Sequence, residues 1–245
     1  EDNATNLAEC FGGVFDPTVN LEGWKEIGKM KQQPQLLGWG APARHELRRA
    51  IGQLKHTAAG PSGIPACVWQ CVGENEGLFE MLHTTMVACW ETEKTPEQWG
   101  RSHMAVLPKP GQDTTQAKNY RAIMVGEVDC KIFQIILNNR LTDLYELVAP
   151  EHSNGFRPGR GTADSLFILL QTLRKQKEHK QESWVLLLDY VKAFDAVPRI
   201  YLWACMRKSG VPNKMIQVLQ GLYTNVTAVM RVDGIDKQID IPQGT

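Results

Sequence analysis

The chain has 245 residues, and its 27 basic side chains balance its 27 acidic ones, so that the formal net charge is zero. This length permits one large domain or two small ones. No run of roughly eighteen apolar residues occurs and the first residues are acidic, which argues against a membrane span and a secretory signal. Six cysteines without C-x-x-C spacing argue against zinc and disulfides, and predict reduced core thiols of an intracellular protein of the cytoplasm or nucleus.

The charges are unevenly distributed along the chain. Residues 1–30 carry six acidic side chains against two lysines, whereas residues 155–210 carry ten lysines and arginines against five acidic side chains. Because proteins bind nucleic acids largely through cationic contacts with phosphates, this gradient favours a nucleic-acid-binding face in the later two thirds of the chain. An ordinary solvated surface would show the same pattern.

Several stretches show apolar residues at helical spacing. They predict helices over 42–55, over parts of 65–90 with breaks at Gly73 and Gly77, and over 131–147, 162–177, 198–209 and 213–223. In the helix over 162–177, Thr162 is the predicted cap and 165–170 the buried part. Gly210 has the position of a residue that ends a helix in the left-handed conformation. Residues 1–40 are the least interpretable part of the sequence.

Short apolar runs predict the strands. A short strand is expected over 104–107, and residues 227–243 predict a hairpin with its turn at Asp233-Gly234. The run 185–188 has the length and composition of a strand buried on both faces, and it ends at the carboxylate of Asp189. Since helices predominate, the predicted fold class is α+β and rich in helix.

Asp189 is the strongest candidate for a functional residue. A carboxylate at the rim of a core is costly unless it is paired or coordinates a metal ion. A metal site or an ion pair would therefore explain it. A strand that ends in a solvated aspartate explains the same pattern.

Residues 186–198 read L-L-L-D-Y-V-K-A-F-D-A-V-P, which resembles the first catalytic motif of reverse transcriptases from non-LTR (LINE-type) retrotransposons and group II introns. Five more segments are similar to motifs of this family, in the same order. They are 54–66 (L-K-H-T-A-A-G-P-S-G-I-P-A), 95–111, 119–141, 154–170 and 241–245. An unrelated metal-binding protein would require all these ordered matches to be accidental.

The resemblance implies an RNA-directed DNA polymerase with a right-hand fold, of which this chain holds the fingers and an incomplete palm. The implied domains are an extension or linker over 1–40, a fingers-like region over 41–180 and a partial palm over 181–245. An RNA template, a DNA primer, deoxynucleoside triphosphates and two Mg²⁺ ions would be its partners and cofactors, with no membrane.

The resemblance also implies the catalytic and nucleotide-binding residues. Asp189 would bind both metal ions, and the backbone carbonyl of Tyr190 would complete the shell of one. The other implied contacts are with the incoming nucleotide: Lys109 and Arg121 with the phosphates, Phe194 as a steric gate under the sugar, and Gln243 and Gly244 with the base. Lys118 is an alternative to Lys109, and core packing is an alternative role for Phe194.

Three further residues complete the predicted site. Arg157 and Arg160 are expected near the template or primer backbone, and an ordinary polar loop without such a contact is the alternative. Asp195 reads as a capping or salt-bridged residue rather than a metal ligand.

Two kinds of departure from the family pattern matter. Ser62 replaces a usual aspartate and Ala122 a usual proline, which suggests sequence drift. The paired aspartates and the thumb expected after the last motif do not occur before Thr245, so the polypeptide alone is predicted to be inactive. A catalytically dead relic or a domesticated fragment that binds nucleic acid or protein is the alternative. The sequence beyond Thr245 would discriminate between these interpretations.

Overall fold

The structure is a computed structural model that describes residues 21–34, 39–116, 119–190, 193–194, 197–232 and 235–241. The chain divides into two compact units, one formed by Glu1–Asn138 with Lys192–Thr245 and the other by Asn139–Val191. Within the described ranges it contains eight α-helices and a four-stranded sheet. The prediction of a helix-rich chain that mixes helices and strands is therefore confirmed.

The first unit contains most of the helices. They are α1 (Leu21–Lys29), α2 (Arg44–Gly52), α3 (Ala66–Val72), α4 (Glu76–Thr92), the first part of α5 (Val128–Val148), α7 (Arg199–Lys208) and α8 (Asn213–Leu222). The second part of α5 and all of α6 (Thr162–Glu178) belong to the second unit. Helix α1 was not predicted, whereas each of the others corresponds to a predicted stretch.

Local sequence signals explain where the helices begin and end. Helix α2 buries Leu47, Ala50 and Ile51 on one side, as its spacing predicted. Gly210 has a φ of +86° after α7, which confirms its predicted conformation. The predicted break at Gly77 is wrong, because the Asn75 side chain accepts a hydrogen bond from the Leu78 N–H (3.0 Å) and so begins α4 just before this glycine.

The sheet has the strand order β2-β1-β3-β4, formed by β1 (Arg101–Pro108), β2 (Tyr120–Gly126), β3 (Thr227–Val232) and β4 (Ile235–Asp240). Strand β1 pairs antiparallel with β2 and parallel with β3, and β3 pairs antiparallel with β4. The predicted strand over 104–107 and the predicted hairpin strands are confirmed, while the turn at Asp233-Gly234 lies outside the described residues. Strand β2 was not predicted, because its strand conformation depends on pairing with β1 rather than on a clear alternation of its own.

One face of this sheet covers a hydrophobic core. That core contains Met104, Ala228, Met230, Ile239 and Ile241, with Val106, Ala122 and Met124 packed against it. Successive side chains of a strand point to opposite faces, so the intervening residues form the second face. This second face is open, since Leu107, Arg121 and Ile123 are exposed on it.

The second unit is held together by a buried arginine. The Arg157 side chain is only 5% exposed, and its Nη2 lies 2.9 Å from Oε2 of Glu146. Its Nη1 also donates to the carbonyls of Pro150 and Ser153, each at 3.3 Å. The Arg157 guanidinium lowers the pKa of the Glu146 carboxyl. Because Glu146 is on α5 and Arg157 is in the loop between α5 and α6, this ion pair attaches the loop to the end of α5.

Two predictions about α6 are wrong. The cap is Gly161, whose N–H donates to Oδ2 of Asp164 at 2.7 Å, and Thr162 is the first helical residue. The predicted buried part, 165–170, is exposed, and α6 has no buried residue. An apolar stripe on a helix is buried only where another layer covers it, and the described residues of this unit form no such layer.

The predicted buried strand over 185–188 is also wrong. This segment forms no regular secondary structure, and Leu186, Leu187 and Leu188 are 80%, 84% and 73% exposed. A strand requires neighbouring strands to accept and donate its backbone hydrogen bonds. Its own unit contains no strand among the described residues, so an apolar composition alone did not produce one.

The five described cysteines differ in burial, and Cys205 is intermediate. Cys89 and Cys130 are buried, and burial raises their pKa values to about 11 and about 12, with the Asp129 carboxylate adding to both shifts. Cys67 and Cys71 are exposed, so the prediction of core thiols is confirmed for the first pair and wrong for the second. None of the described helices combines the length and apolarity that a membrane crossing requires.

Candidate active site

The predicted site residues are distributed over both units. Lys109, Arg121 and Phe194 belong to the first unit, and Arg157, Arg160, Asp189 and Tyr190 to the second. Gln243, Gly244, Lys118 and Asp195 lie outside the described residues.

Strand pairing brings Lys109 and Arg121 together. Arg121 pairs with Leu107 across the β1–β2 ladder, and the Lys109 N–H donates to the carbonyl of Asn119 at 2.8 Å, which extends that pairing. Paired residues share a face of the sheet, and so do residues two apart on one strand. Lys109 and Arg121 are therefore diagonal neighbours at one end of the open face.

In the described part of the segment between these two residues, side chains form hydrogen bonds with the backbone. The Asp113 carboxylate accepts hydrogen bonds from the Thr115 N–H (2.9 Å) and hydroxyl (2.8 Å), which is the pattern of an aspartate turn. The Asn119 amide donates to the Asp113 carbonyl at 2.8 Å, and the Tyr120 hydroxyl donates to the Thr114 carbonyl at 3.0 Å. These bonds constrain the described part of the segment that joins Lys109 to Arg121.

Other arginines on the open face are neutralised by carboxylates. Arg101 is paired with Glu97. Arg231 is paired with Asp236, with an Nε–Oδ1 distance of 2.6 Å and an Nη2–Oδ2 distance of 2.7 Å. The Arg231 guanidinium lowers the pKa of Asp236, so this pair stays ionised at neutral pH. Arg121 forms no ion pair with a described residue, and its guanidinium is exposed. An exposed fork of donors beside a lysine suits a phosphate chain.

The carboxylate of Asp189 is exposed, and the adjacent Tyr190 is exposed as well. Oxygen donors of this kind are the ligands that Mg²⁺ prefers. In the described part of the chain, no three His, Cys, Asp or Glu side chains lie close enough together to hold a metal ion. The described residues therefore fit one ligand position of a two-metal site, but they do not form the whole site.

Both arginines predicted to contact the template or primer already have partners. The donors of Arg157 are occupied by Glu146, Pro150 and Ser153, as described above. Arg160 donates from Nη2 to Oε1 of Glu151 (2.6 Å) and from Nη1 to the carbonyl of the same residue (2.8 Å). The structure thus gives Arg157 a structural role and leaves Arg160, with 29% of its side chain exposed, as the more accessible cation.

A contact that the sequence did not predict explains one departure from the family pattern. The buried Glu127 carboxylate accepts hydrogen bonds from the Ser62 N–H at 2.8 Å and from the Ser62 hydroxyl at 2.6 Å. Gly60 lies so close to the end of β2 that a Cβ there would be 2.5 Å from the carbonyl oxygen of Gly126. Ser62 therefore has a hydrogen-bonding partner in Glu127.

Replacement of Ser62 by aspartate is expected to destabilise the chain. The new carboxylate would face the buried Glu127 carboxylate and remove its hydroxyl donor, at a cost of about 2–3 kcal/mol in the free energy of unfolding. Urea denaturation of the two chains would measure this difference. In the double variant S62D/E127Q the glutamine amide can donate to the new carboxylate, so stability should be partly restored; no restoration would contradict the proposed pairing.

A model of the family described as "Reverse transcriptase (RNA-dependent DNA polymerase)" matches residues 107–245, which is more than half of the chain. The chain therefore belongs to the reverse transcriptase family. The resemblance inferred from the ordered motifs is confirmed.

Known relatives come from retrotransposable elements. The chain is 22% identical over 199 residues to the Retrovirus-related Pol polyprotein from type-1 retrotransposable element R2 of Nasonia vitripennis, which covers 80% of this chain and 18% of the relative. It is 26% identical over 207 residues to the Retrovirus-related Pol polyprotein from type-2 retrotransposable element R2DM of Drosophila melanogaster. That match covers 83% of this chain and 18% of the relative. It is 29% identical over 126 residues to the Probable RNA-directed DNA polymerase from transposon X-element of the same fly. That match covers 50% of this chain and 14% of the relative. The chain thus spans less than a fifth of the length of these relatives.

Proposed function

We propose that this chain is part of an RNA-directed DNA polymerase of a non-LTR retrotransposon, a nucleotidyltransferase that adds deoxynucleotides to a primer 3′ end on an RNA template. The observation that carries the proposal is the family match over 107–245, which includes both the Lys109–Arg121 pair and Asp189. Relatives from R2 and X elements support the assignment to this kind of retrotransposon.

The residues of the first unit bind and select the incoming nucleotide. Lys109 and Arg121 hold its phosphates, because they form a cation pair at an open sheet end and Arg121 has no carboxylate partner among the described residues. Phe194, which is 69% exposed, lies under the sugar and rejects a 2′ hydroxyl. Gln243 and Gly244 contact the base. In this proposal residues 41–180 form the fingers and 181–245 a part of the palm.

The residues of the second unit bind metal and nucleic acid. Two Mg²⁺ ions, when bound, would activate the primer 3′ hydroxyl and stabilise the leaving pyrophosphate. Asp189 supplies one carboxylate and Tyr190 one backbone carbonyl to this site, and Arg160 contacts the template or primer backbone. Arg157 does not contact the nucleic acid in this proposal. It stabilises the loop that carries Arg160 through its hydrogen bonds to the carbonyls of Pro150 and Ser153.

A primer-extension assay tests the proposal. The polymerase that contains this sequence should extend a DNA primer on an RNA template, with deoxynucleotides and a divalent cation both required. The 245-residue chain alone should give no product, since its described residues include no group of three side chains that could hold a metal ion. A polymerase that retains the RNA–DNA duplex in a filter-binding assay but never extends it would overturn the proposal in favour of the binding-only alternative.

A further inference from the structure

A cavity of about 590 Å³ lies in the first unit, where β2 ends and α5 begins. Its walls come from the segment 57–58, the turn before β1, strand β2, the first turns of α5 and the segment between α8 and β3. All of these residues are described and belong to one compact unit. Cavities that bind small organic molecules have volumes of about 300–1,000 Å³, so this one has a suitable size.

Much of the cavity lining is apolar. Strand β2 contributes Ile123 and Val125, and Trp99 contributes an aromatic side chain. The Trp99 Nε1 donates to Oδ2 of Asp129 at 2.8 Å, and the Trp99 ring centroid lies 5.6 Å from that of Phe133. These two contacts fix the orientation of the indole. A fixed aromatic ring among aliphatic side chains favours a ligand with an apolar body.

A buried carboxylate without a cationic partner lines the same cavity. Glu127 is 6% exposed, and both of its hydrogen bonds come from Ser62. A carboxylate has about four lone-pair sites, so Glu127 can accept further hydrogen bonds. No basic side chain in the described part of the chain forms an ion pair with it. The Thr57 hydroxyl, on another wall, is buried without a partner among the described residues.

The charges at this end of the cavity are negative in sum. Burial raises the pKa of the Asp129 carboxyl, and the nearby Glu127 charge adds to this rise. Lys131 is the one basic side chain of the described lining; it is partly exposed and forms no ion pair with a described residue. Two carboxylates against one lysine leave an excess negative charge, and a buried charge is costly unless a cation or hydrogen bonds offset it.

We propose that this cavity binds a small organic cation, whose amidinium, guanidinium or ammonium group donates hydrogen bonds to Glu127 and whose apolar body packs against Trp99. The Thr57 hydroxyl accepts or donates a further hydrogen bond to the same ligand. The cavity lies at the Gly126 end of β2, whereas Arg121 is near the other end. The inference goes beyond the proposed polymerase function and does not depend on it.

Calorimetric titration of the polymerase that contains this sequence with benzamidine is the first test. Benzamidine carries an amidinium on a phenyl ring, and benzamide is a neutral molecule of the same size. Benzamidine should bind with a Kd of roughly 0.1–1 mM, and benzamide about tenfold more weakly or less, because it lacks the charge-assisted hydrogen bonds. Glu127→Gln should also weaken benzamidine binding about tenfold. Glu91→Gln, at an exposed glutamate of α4 outside the lining, is the matched control and should leave the Kd unchanged.

Protection of Lys131 from chemical modification is the second test and needs no variant. A succinimidyl ester acetylates accessible lysines, and mass spectrometry of peptides measures the rate at each one. Saturating benzamidine should slow acetylation of Lys131 about threefold or more and leave Lys25, an exposed lysine of α1, unaffected. Equal affinities for benzamidine and benzamide, an unchanged Kd in Glu127→Gln, or an unprotected Lys131 would overturn the proposal. If Glu127→Gln does not fold, the comparison of the two ligands and the protection of Lys131 decide it.

Discussion

Replacement of Asp189 by asparagine is expected to reduce primer extension by the complete polymerase about a thousandfold or more. The amide is neutral and offers one oxygen instead of two, so the charge that holds a divalent ion beside the triphosphate is lost, at a cost of several kcal/mol in the transition state. Steady-state primer extension on an RNA template, with Mg²⁺ and with Mn²⁺, would measure the loss. The effect should fall mainly on kcat.

Asp143→Asn is the matched control for this prediction. Asp143 is also an exposed aspartate of the second unit, on α5, and nothing assigns it a catalytic role. Its replacement should leave the rate unchanged. If Asp189→Asn kept more than about a tenth of the activity of the Asp143→Asn enzyme, Asp189 would not be a metal ligand and the proposed site would be wrong.

Replacement of Arg121 by alanine is expected to raise KM for deoxynucleotides roughly 10- to 100-fold. The reason is the loss of charge-assisted, bidentate hydrogen bonds to a phosphate, which Lys109 alone cannot replace. The KM of Arg121→Lys should lie between that of the unsubstituted enzyme and that of Arg121→Ala, because lysine keeps the charge but not the planar fork. Initial rates of primer extension at varied deoxynucleotide concentration would give KM and kcat for each enzyme.

Arg101 provides the control for the arginine prediction. It is the first residue of β1, at the opposite end of that strand from Leu107, and it is paired with Glu97. Arg101→Ala removes one cation from the same sheet but should leave KM within about twofold, since exposed ion pairs contribute little. Equal effects of the two substitutions would mean that general charge, not the geometry at Lys109 and Arg121, determines nucleotide affinity.

The elements predicted with most success have strong local signals. The helix over 131–147 became most of α5, and the spacing of Leu47, Ala50 and Ile51 located α2 and its buried side. In both, the period of the apolar residues is a property of neighbouring positions, and so it is visible in the sequence. Strand β2 lacked such a signal, since Tyr120 and Arg121 acquire their strand conformation from pairing with Pro108 and Leu107.

The roles assigned to the site residues stay predictions, and the structure adds the surroundings of those residues. Motif order pointed to Lys109 and Arg121, and the β1–β2 register shows that they share one open face. The burial of Arg157 could not be read from its loop sequence, because its partner Glu146 lies on α5. The partnership of Ser62 with Glu127 was missed because it joins residues 65 positions apart.

Motif order identified the family of this protein and the candidate catalytic carboxylate, and residue spacing located the helices with strong periodicity, because motifs and periods are visible in the sequence. The exposure of the run at 185–188, the burial of Arg157 and the hydrogen bond between Ser62 and Glu127 became known only from the packed chain. Burial and hydrogen-bond partnership depend on which distant segments pack together, and local residue spacing does not specify that packing.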